Sequence, residues 1–241
     1  SPCSSVWTTD GDVTTYGYAG RMTTVTDPKG KWKKYSTDEV GNLVQVEEPG
    51  SLFTYYTYTA INKLATVGMT RNGTTQTRTF TYDGARLLTA TNPENGTTTY
   101  QYNLAGRVTQ RTAGNGQVTK YGYDAYGRLL GVSIPNGQGV DVQQTWYYWD
   151  ANPNAPTYSS WLAGRLAAVA FTRNEARYDF AYDELGRRVK KRLVVGETVI
   201  AEEQRGYDLE GRMVTTNHPD GNLYTYQYDV AGRLNGMKLG Q

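Results

Sequence analysis

A short pattern of tyrosine, aspartate, glycine and arginine recurs along this chain and constrains its fold more than any other feature. The clearest copy occupies residues 121–129, and its recurring positions are Tyr121, Tyr123, Asp124, Gly127 and Arg128. A second clear copy has Tyr226, Tyr228, Asp229, Gly232 and Arg233 at the same positions. Self-similarity of this kind is typical of a repeat protein, in which one small unit stacks on the next to bury its apolar face.

About ten copies cover the chain from about residue 14 to residue 236. The other clear copies are residues 100–107, 180–187 and 207–212, and the degenerate ones are residues 16–21, 35–42, 56–63 and 80–86. A tenth copy is split, with Trp149-Asp150 on one side and Gly164-Arg165 on the other. We therefore expect a single repeat domain over residues 1–241 with an aromatic loop insertion at residues 151–163.

Each repeat is predicted to form a β-hairpin. In the clearest copy, a strand at residues 117–124 leads through an Asp-x-x-Gly turn to a return strand at residues 128–135. The Asp accepts hydrogen bonds from its own downstream backbone, and the Gly adopts a positive φ without steric cost. Asn136-Gly137 is a hairpin signal for the next turn. The positions expected to share one face of the return strand are Leu130, Val132 and Ile134.

Composition agrees with many short strands and a thin core. The chain has 21 Tyr and 27 Gly but four Phe, and 38% of its residues are hydrophobic. No segment has a sustained helical period with caps, so helix should be scarce. The predicted fold class is all-β, with tandem hairpins that form a coiled or spiralling sheet wall. About 20 strands spaced about 4.8 Å apart would span about 95 Å, and an open sheet of that length is expected to curl.

Charge and motifs argue against several function classes. The net charge of +2 gives little attraction to nucleic acid or membrane surfaces, and no apolar run is long enough to span a membrane. Cys3 and His218 are the lone cysteine and histidine, and the patterns of nucleotide-binding, zinc and serine-nucleophile sites are missing. We expect no cofactor, no metal and no catalytic residues, and His218 is interpreted as a turn residue.

The aromatic insertion is the main irregularity and the candidate binding site. Three of the five Trp residues lie within 16 positions of one another. Exposed rings on a rigid sheet suit stacking on a sugar or a protein partner. The candidate residues are Trp146, Trp149, Tyr158 and Trp161. The alternative is that the loop caps the sheet and buries its own rings.

The arginine that follows each turn glycine has two possible partners. It can lie over a Tyr ring, or it can pair with the turn Asp. A third interpretation is that these residues are solvated turn charges. The sequence does not distinguish between these three interpretations.

The repeat unit resembles the YD repeat, also called the RHS repeat. Families with this repeat include bacterial polymorphic toxins, the C component of insecticidal toxin complexes, wall-associated proteins and teneurins. The resemblance implies a spiralling β-sheet that closes into a hollow shell, around an effector in the toxin members. This chain has too few repeats to close such a shell, and it lacks the core segment with self-cleaving aspartates and an effector domain. Because it begins at Ser1, we expect it to be a piece of a longer protein or a processed product.

Three functions follow from the resemblance and the residues. The first is a structural shell segment of a secreted or cell-surface bacterial protein, which encloses or presents an effector or toxin. The second is an adhesion module that binds a carbohydrate or a receptor, and the third is a subunit of an extracellular filament. The expected partners are neighbouring repeats of a longer chain or identical subunits, with an effector domain or a glycan as further candidates.

Overall fold

The first half of the chain is a run of short antiparallel strands, two to each repeat. The structure is a computed structural model that describes residues 5–7 and 13–240. It divides into two compact units at residues 118 and 119. The strands of the first unit are β1 (Ser5–Trp7), β2 (Val13–Ala19), β3 (Met22–Thr26), β4 (Trp32–Thr37), β5 (Leu43–Glu48), β6 (Leu52–Tyr58), β7 (Leu64–Arg71), β8 (Thr74–Asp83), β9 (Arg86–Asn92), β10 (Gly96–Tyr102) and β11 (Val108–Thr112).

The second unit has the same organisation. Its strands are β12 (Val118–Tyr123), β13 (Leu129–Pro135), β14 (Asp141–Trp149), β15 (Leu166–Phe171), β16 (Ala176–Tyr182), β17 (Arg188–Val195), β18 (Thr198–Tyr207), β19 (Met213–Asn217), β20 (Leu223–Tyr228) and β21 (Leu234–Gly240). A single 3-10 turn, Thr172–Asn174, is the one helical element among the described residues. The predicted all-β class of tandem hairpins is therefore confirmed.

Within each unit, every strand pairs with the next one along the chain, and all these pairings are antiparallel. Apart from the 16 residues between β14 and β15, the connections within each unit have two to five residues. This meander follows from such short turns, because they can join only antiparallel neighbours. Each hairpin therefore contacts mainly the hairpins before and after it. The expectation of one domain over residues 1–241 stays a prediction.

A β-bulge recurs in most repeats beside the residue that precedes the turn, and this residue is usually aromatic. In the clearest repeat, Tyr121 pairs with Val132 and Gly122 with Gly131, but Tyr123 pairs with Leu129. Leu130 is thus the extra residue of the bulge. The register gives backbone pairing and not side-chain direction, so the prediction that Leu130, Val132 and Ile134 share one face stays a prediction.

Buried side chains are few and small. In the second unit, Ala167, Ala168, Ala181 and Val194 are almost completely buried. The largest buried polar side chain is Asp179, which is fully inaccessible to solvent. This thin core, expected from the composition, means that hydrogen bonds and ring contacts between repeats carry much of the packing.

Candidate functional site

The turn of each clear repeat closes on itself through its first residue, which is an aspartate in four of the five and Asn103 in residues 100–107. In the second unit, the backbone N–H of Arg128 donates to Oδ1 of Asp124 at 2.8 Å, and its Nε donates to Oδ2 at 2.6 Å. Gly127, at φ 83°, donates its N–H to the carbonyl of Asp124 at 2.9 Å. The positive φ explains the glycine, because other residues rarely adopt this conformation.

The same Arg also contacts the aromatic ring of the following repeat. The guanidinium of Arg187 pairs with Asp183 through Nε at 2.6 Å and lies 4.7 Å from the ring centroid of Tyr207. In the next repeat, Arg212 pairs with Asp208 at 2.7 Å and lies 5.1 Å from the ring of Tyr228. These arginines therefore contact both of the possible partners, the turn Asp and an aromatic ring.

The ring is fixed at its other end by a hydrogen bond to the backbone of the preceding repeat. The hydroxyl of Tyr207 donates to the carbonyl of Arg188 at 3.1 Å, and that of Tyr228 donates to the carbonyl of Met213 at 2.8 Å. The first unit has the same bond from Tyr58 to Leu43 at 2.9 Å. We call the Asp and Arg of one repeat, together with the aromatic ring of the next, the repeat clasp.

The split repeat keeps its turn closure despite the insertion. Asp150 donates its N–H to the carbonyl of Arg165 at 3.0 Å, and the N–H of Gly164 donates to Oδ1 of Asp150 at 2.6 Å. The carboxylate also accepts hydrogen bonds from both terminal nitrogens of Arg128, at 3.1 and 2.7 Å. Hydrogen bonds from Arg128 and then from the Gly164 N–H lower the pKa of Asp150. The insertion therefore keeps the backbone hydrogen bond from the turn Asp to the Arg carbonyl and leaves the pairing of β14 with β15 intact.

Trp149 takes the place of the clasp tyrosine in this repeat. Its indole Nε1 donates to the carbonyl of Leu129 at 2.8 Å, and the guanidinium of Arg128 lies 5.0 Å from its ring. These are the two contacts that Tyr207 and Tyr228 make in their own repeats. Trp149 thus has internal partners on both its ring and its polar atom.

The insertion is anchored on a buried ionic cluster. Asp179 accepts hydrogen bonds from Nε of Arg177 at 3.1 Å, from Nε of Arg192 at 2.8 Å and from the side-chain amide of Asn152 at 2.8 Å. Asn152 belongs to the insertion and is 2% exposed. A buried carboxylate is stable only with such partners, so this cluster fixes the loop to strands β16 and β17.

Tyr158 of the insertion packs on the same cluster. The guanidinium of Arg192 lies 3.9 Å from its ring centroid. Its hydroxyl is buried, with no hydrogen-bond partner among the described residues, and this burial raises the pKa of Tyr158. Of the four aromatic residues predicted to bind a ligand, Trp149 and Tyr158 therefore make internal contacts.

The other two predicted residues present their rings to solvent. Trp146 on β14 is 46% exposed and Trp161 in the insertion is 59% exposed. Trp161 also has a φ of 53°, which is uncommon for a bulky residue. Trp146 lines a depression of about 190 Å³ together with Tyr148, Asn154, Phe171, Glu175 and Arg177. The structure thus separates the four candidates into an internal pair and an exposed pair.

Sequence reasoning missed the ionic cluster. Asp179, Arg177 and Arg192 lie outside the turn pattern, and Asn152 lies in the insertion. An acidic residue in the middle of a strand, between two aromatic neighbours at Tyr178 and Phe180, was the available signal. The role of Trp149 could have been inferred, because Trp149-Asp150 occupies the position of a Tyr-Asp pair.

Metal-ligand clusters and membrane-spanning helices are absent from the part of the chain that the structure describes. No group of three or more His, Cys, Asp or Glu residues is arranged to hold a metal ion there. His218 begins a turn, with its carbonyl accepting from the N–H of Gly221 at 2.9 Å, and Cys3 lies outside the described residues. None of the described helical segments is long and apolar enough to cross a bilayer.

Comparisons with a family model and with curated proteins point to the same family of repeats. The RHS repeat model matches residues 3–31, 86–118, 102–138 and 207–240. The probable deoxyribonuclease RhsB of Dickeya dadantii (strain 3937) is 26% identical over 168 residues, which are 69% of this chain and 10% of that protein. The double-stranded DNA deaminase toxin A of Burkholderia cenocepacia (strain H111) is 28% identical over an alignment of 167 residues, and the match covers 60% of this chain and 12% of that protein.

The fold is also found in a solved structure. The crystal structure of TcdB2-TccC3 superposes with a TM-score of 0.72 at 17% sequence identity, over 98% of this chain and 14% of that chain. The present chain spans about a tenth of the length of the curated relatives it matches. Because the RHS repeat model matches segments near the start, middle and end of the chain, and the Asp-x-x-Gly-Arg turn recurs between them, the chain belongs to the RHS-repeat (YD-repeat) family.

Proposed function

We propose that this chain is a structural wall segment of a longer, secreted or cell-surface bacterial RHS-repeat protein, and that the wall encloses or presents an effector. The repeat clasp is the observation that carries the proposal. In each clasp an ion pair fixes the arginine within its own turn, and a cation–π contact and a hydrogen bond to the backbone join that hairpin to the next. Such links stiffen a sheet whose core is thin.

The clasp also explains why the sheet can serve as a wall without a deep core. A cation–π contact contributes about 0.5–1 kcal/mol at an exposed site, and a hydrogen bond contributes about 0.5–1.5 kcal/mol. One clasp is thus weak, but the contributions add along a repeat protein in which each unit contacts its neighbours. The polar groups engaged are turn and strand residues, which favours a structural role over a catalytic one.

The names of the relatives suggest which kind of effector the wall would enclose. Two carry names of enzymes that act on DNA, a probable deoxyribonuclease and a DNA deaminase toxin. The present chain matches about a tenth of each, and the matched part is repeat sequence. We propose that any such activity belongs to a different part of the longer protein, and that this segment contributes to its enclosure.

Limited proteolysis of the full-length product of the gene tests this function. In the wild type, the region outside the repeats should resist a protease that digests the same region when it is produced alone. The double variant Arg187→Ala with Arg212→Ala should remove that protection. Arg173→Ala is the matched control, because Arg173 is exposed in the 3-10 turn. If the region outside the repeats were digested as fast in the wild-type protein as when it is produced alone, the proposal would be contradicted.

A second candidate function is binding of a glycan or protein partner at the insertion. The exposed rings of Trp146 and Trp161 favour it, and Trp146 borders the 190 Å³ depression. Pockets for drug-sized ligands measure about 300–1,000 Å³, so this depression suits a single side chain or one sugar ring. Binding on a glycan array should be lost in Trp146→Ala and Trp161→Ala with the melting temperature unchanged. Tyr55→Ala, exposed in the first unit, is the control.

A further inference from the structure

One repeat of the first unit lacks the arginine of the repeat clasp. In residues 35–42, the turn begins at Asp38 and has Gly41 three positions later, but Asn42 occupies the position of the arginine. The backbone N–H and the side-chain amide of Asn42 donate to the two carboxylate oxygens of Asp38, at 2.8 and 2.9 Å. This turn therefore closes without a guanidinium.

The aromatic ring that such an arginine would contact is present. Tyr58 donates its hydroxyl to the carbonyl of Leu43 at 2.9 Å, and Leu43 directly follows Asn42 in the chain. Tyr207 and Tyr228 donate in the same way to the residue that directly follows their own clasp arginine. Tyr58 is therefore the clasp ring of this repeat, and the same hydrogen bond fixes it.

The three clasp positions of this repeat line an open cavity. Its volume is about 460 Å³, and its walls include Asp38, Asn42 and Tyr58, with Tyr56 and Asn62 beside them. In five other repeats, the guanidinium of an arginine lies 4.7–5.7 Å from the centroid of the clasp ring. Within the described part of the chain, no lysine or arginine lies over the Tyr58 ring. The shorter Asn42 thus leaves space beside a ring that carries no cation.

The carboxylate of this turn has uncharged partners. In the four clear repeats that begin with an aspartate, the carboxylate pairs with an arginine at 2.6–2.8 Å. Asp38 instead accepts from the Val40 backbone and from the backbone and side chain of Asn42. These hydrogen bonds, first that of the Asn42 side chain, hold the pKa of Asp38 below its usual range, so it is ionised at neutral pH. Arg21 is bonded to the adjacent Glu39, at 3.3 Å.

We propose that this cavity, which we call the open clasp, binds the guanidinium group of an arginine side chain from a bound polypeptide. The chain itself places this group against the same two partners, a turn carboxylate and a tyrosine ring, in its other clasps. A guanidinium forms bidentate hydrogen bonds with a carboxylate and stacks on aromatic faces, whereas an ammonium acts as a compact point charge. The site does not depend on the enclosing function.

The open clasp has both the room and the acceptors for such a side chain. Binding sites for small molecules measure about 300–1,000 Å³, so a cavity of about 460 Å³ admits an arginine side chain with part of its backbone. A carboxylate offers about four acceptor positions, two on each oxygen. Oδ1 of Asp38 accepts two hydrogen bonds and Oδ2 accepts one, so Oδ2 has a position for a guanidinium N–H.

Titration of the 241-residue chain with N-acetyl-arginine amide tests the site. We expect saturable shifts in the NMR signals of the Tyr58 ring. N-acetyl-citrulline amide, which has the same shape without the charge, and N-acetyl-lysine amide should both bind at least tenfold more weakly. If either compound bound as tightly as the arginine compound, the inference would be overturned. Absence of binding at about 10 mM, which fills about nine-tenths of a site with a Kd of about 1 mM, would also overturn it.

Asn42→Arg supplies the arginine that the other clasps have. We expect its guanidinium to occupy the cavity, so that the affinity for N-acetyl-arginine amide falls at least tenfold. Gln76→Arg is the matched control, because Gln76 is exposed on β8 and the variant adds the same charge outside the cavity. Unchanged affinity in Asn42→Arg, or an equal loss in the two variants, would show that the ligand does not occupy the open clasp.

Asp38→Asn tests the carboxylate while the turn is kept. Asn103 closes the equivalent turn of residues 100–107, where its Oδ1 accepts from the backbone N–H of Arg107 at 2.9 Å. An asparagine at position 38 can close its turn in the same way, and an unchanged circular-dichroism spectrum would confirm that the variant is folded. The affinity for N-acetyl-arginine amide should fall at least tenfold, because the charge that pairs with the guanidinium is removed. Undiminished binding in this variant would overturn the inference.

Discussion

Arg192 donates from Nε to Oδ2 of Asp179 at 2.8 Å, across the β16–β17 pair, and the carboxylate is completely buried. This pair, together with Arg177 and Asn152, is the polar centre of the second unit. Asp179→Ala leaves two arginines without their partner, and removing one member of a buried ion pair costs about 3–5 kcal/mol. We expect a loss of this size in the free energy of unfolding in urea.

The control for Asp179 is an exposed ion pair in the same unit. Asp141 is bonded to Lys120 at 2.9 Å, with both side chains about two-fifths exposed. Exposed pairs contribute about 0–1 kcal/mol, so Asp141→Ala should change the unfolding free energy by less than about 1 kcal/mol. Similar losses for the two variants would contradict the assignment of Asp179 as the anchor.

Asn152→Ala should release the insertion from the sheet. The variant removes the amide that donates to Asp179 at 2.8 Å, and losing a buried hydrogen-bond partner costs about 1–3 kcal/mol. Trypsin cleaves after Lys and Arg, and neither residue occurs between residues 151 and 164. Chymotrypsin is therefore the appropriate protease. We expect faster cleavage after Tyr158 or Trp161 in the variant, with Asn154→Ala, which is exposed, as the control.

Trp149 permits a direct test of the repeat clasp. Trp149→Phe keeps a ring for Arg128 but removes the donor to the Leu129 carbonyl, so it should lower stability by about 1 kcal/mol. Trp149→Tyr restores the residue that the other clasps use, and its loss should be smaller. A Phe variant as stable as the Tyr variant in thermal unfolding would show that the hydrogen bond contributes little.

The clasp aspartates predict a pH dependence of stability. The backbone N–H of Arg233, and then its guanidinium, lower the pKa of Asp229. Because the folded pKa lies below the unfolded value of about 3.9, the stabilisation is complete above about pH 5 and is lost as pH falls through the folded pKa. The melting temperature should therefore drop between about pH 5 and pH 2.

An asparagine variant isolates the aspartate in that experiment. Asp208 has the same arrangement, and although partial burial raises its pKa, the hydrogen bonds from Arg212 outweigh this effect and lower it. Asp208→Asn cannot titrate, so its melting temperature should fall less steeply with acid than that of the wild type. Parallel curves for the two proteins would contradict a contribution from the clasp carboxylates.

Several features could be predicted because they depend on neighbouring residues. The Asp124 to Gly127 turn follows from the local preference of Asp and Gly, and the strand of Val118–Tyr123 follows from alternation over a few residues. The bulge at Leu130 could not be predicted, because alternation in sequence is the same with or without an extra residue. Its position depends on pairing with the opposite strand.

The candidate site was predicted only in outline. The clustering of Trp146, Trp149 and Trp161 in sequence drew attention to the insertion, but clustering carries no information on which rings are covered. The structure shows that the exposed rings are Trp146 and Trp161. Whether they bind a ligand stays a prediction.

The sequence by itself determined the number of hairpins, the turns that join them and the family, since these depend on local conformational preference repeated along the chain. Tertiary structure alone decided the cluster of Asn152, Arg177, Asp179 and Arg192, whose members are up to 40 positions apart in the chain. It also decided that Arg128, Arg187 and Arg212 each contact both the aspartate of their own turn and the aromatic ring of the next repeat. The physical reason is that burial and ion pairing depend on which strands lie side by side, and strand order is set by the fold of the whole unit.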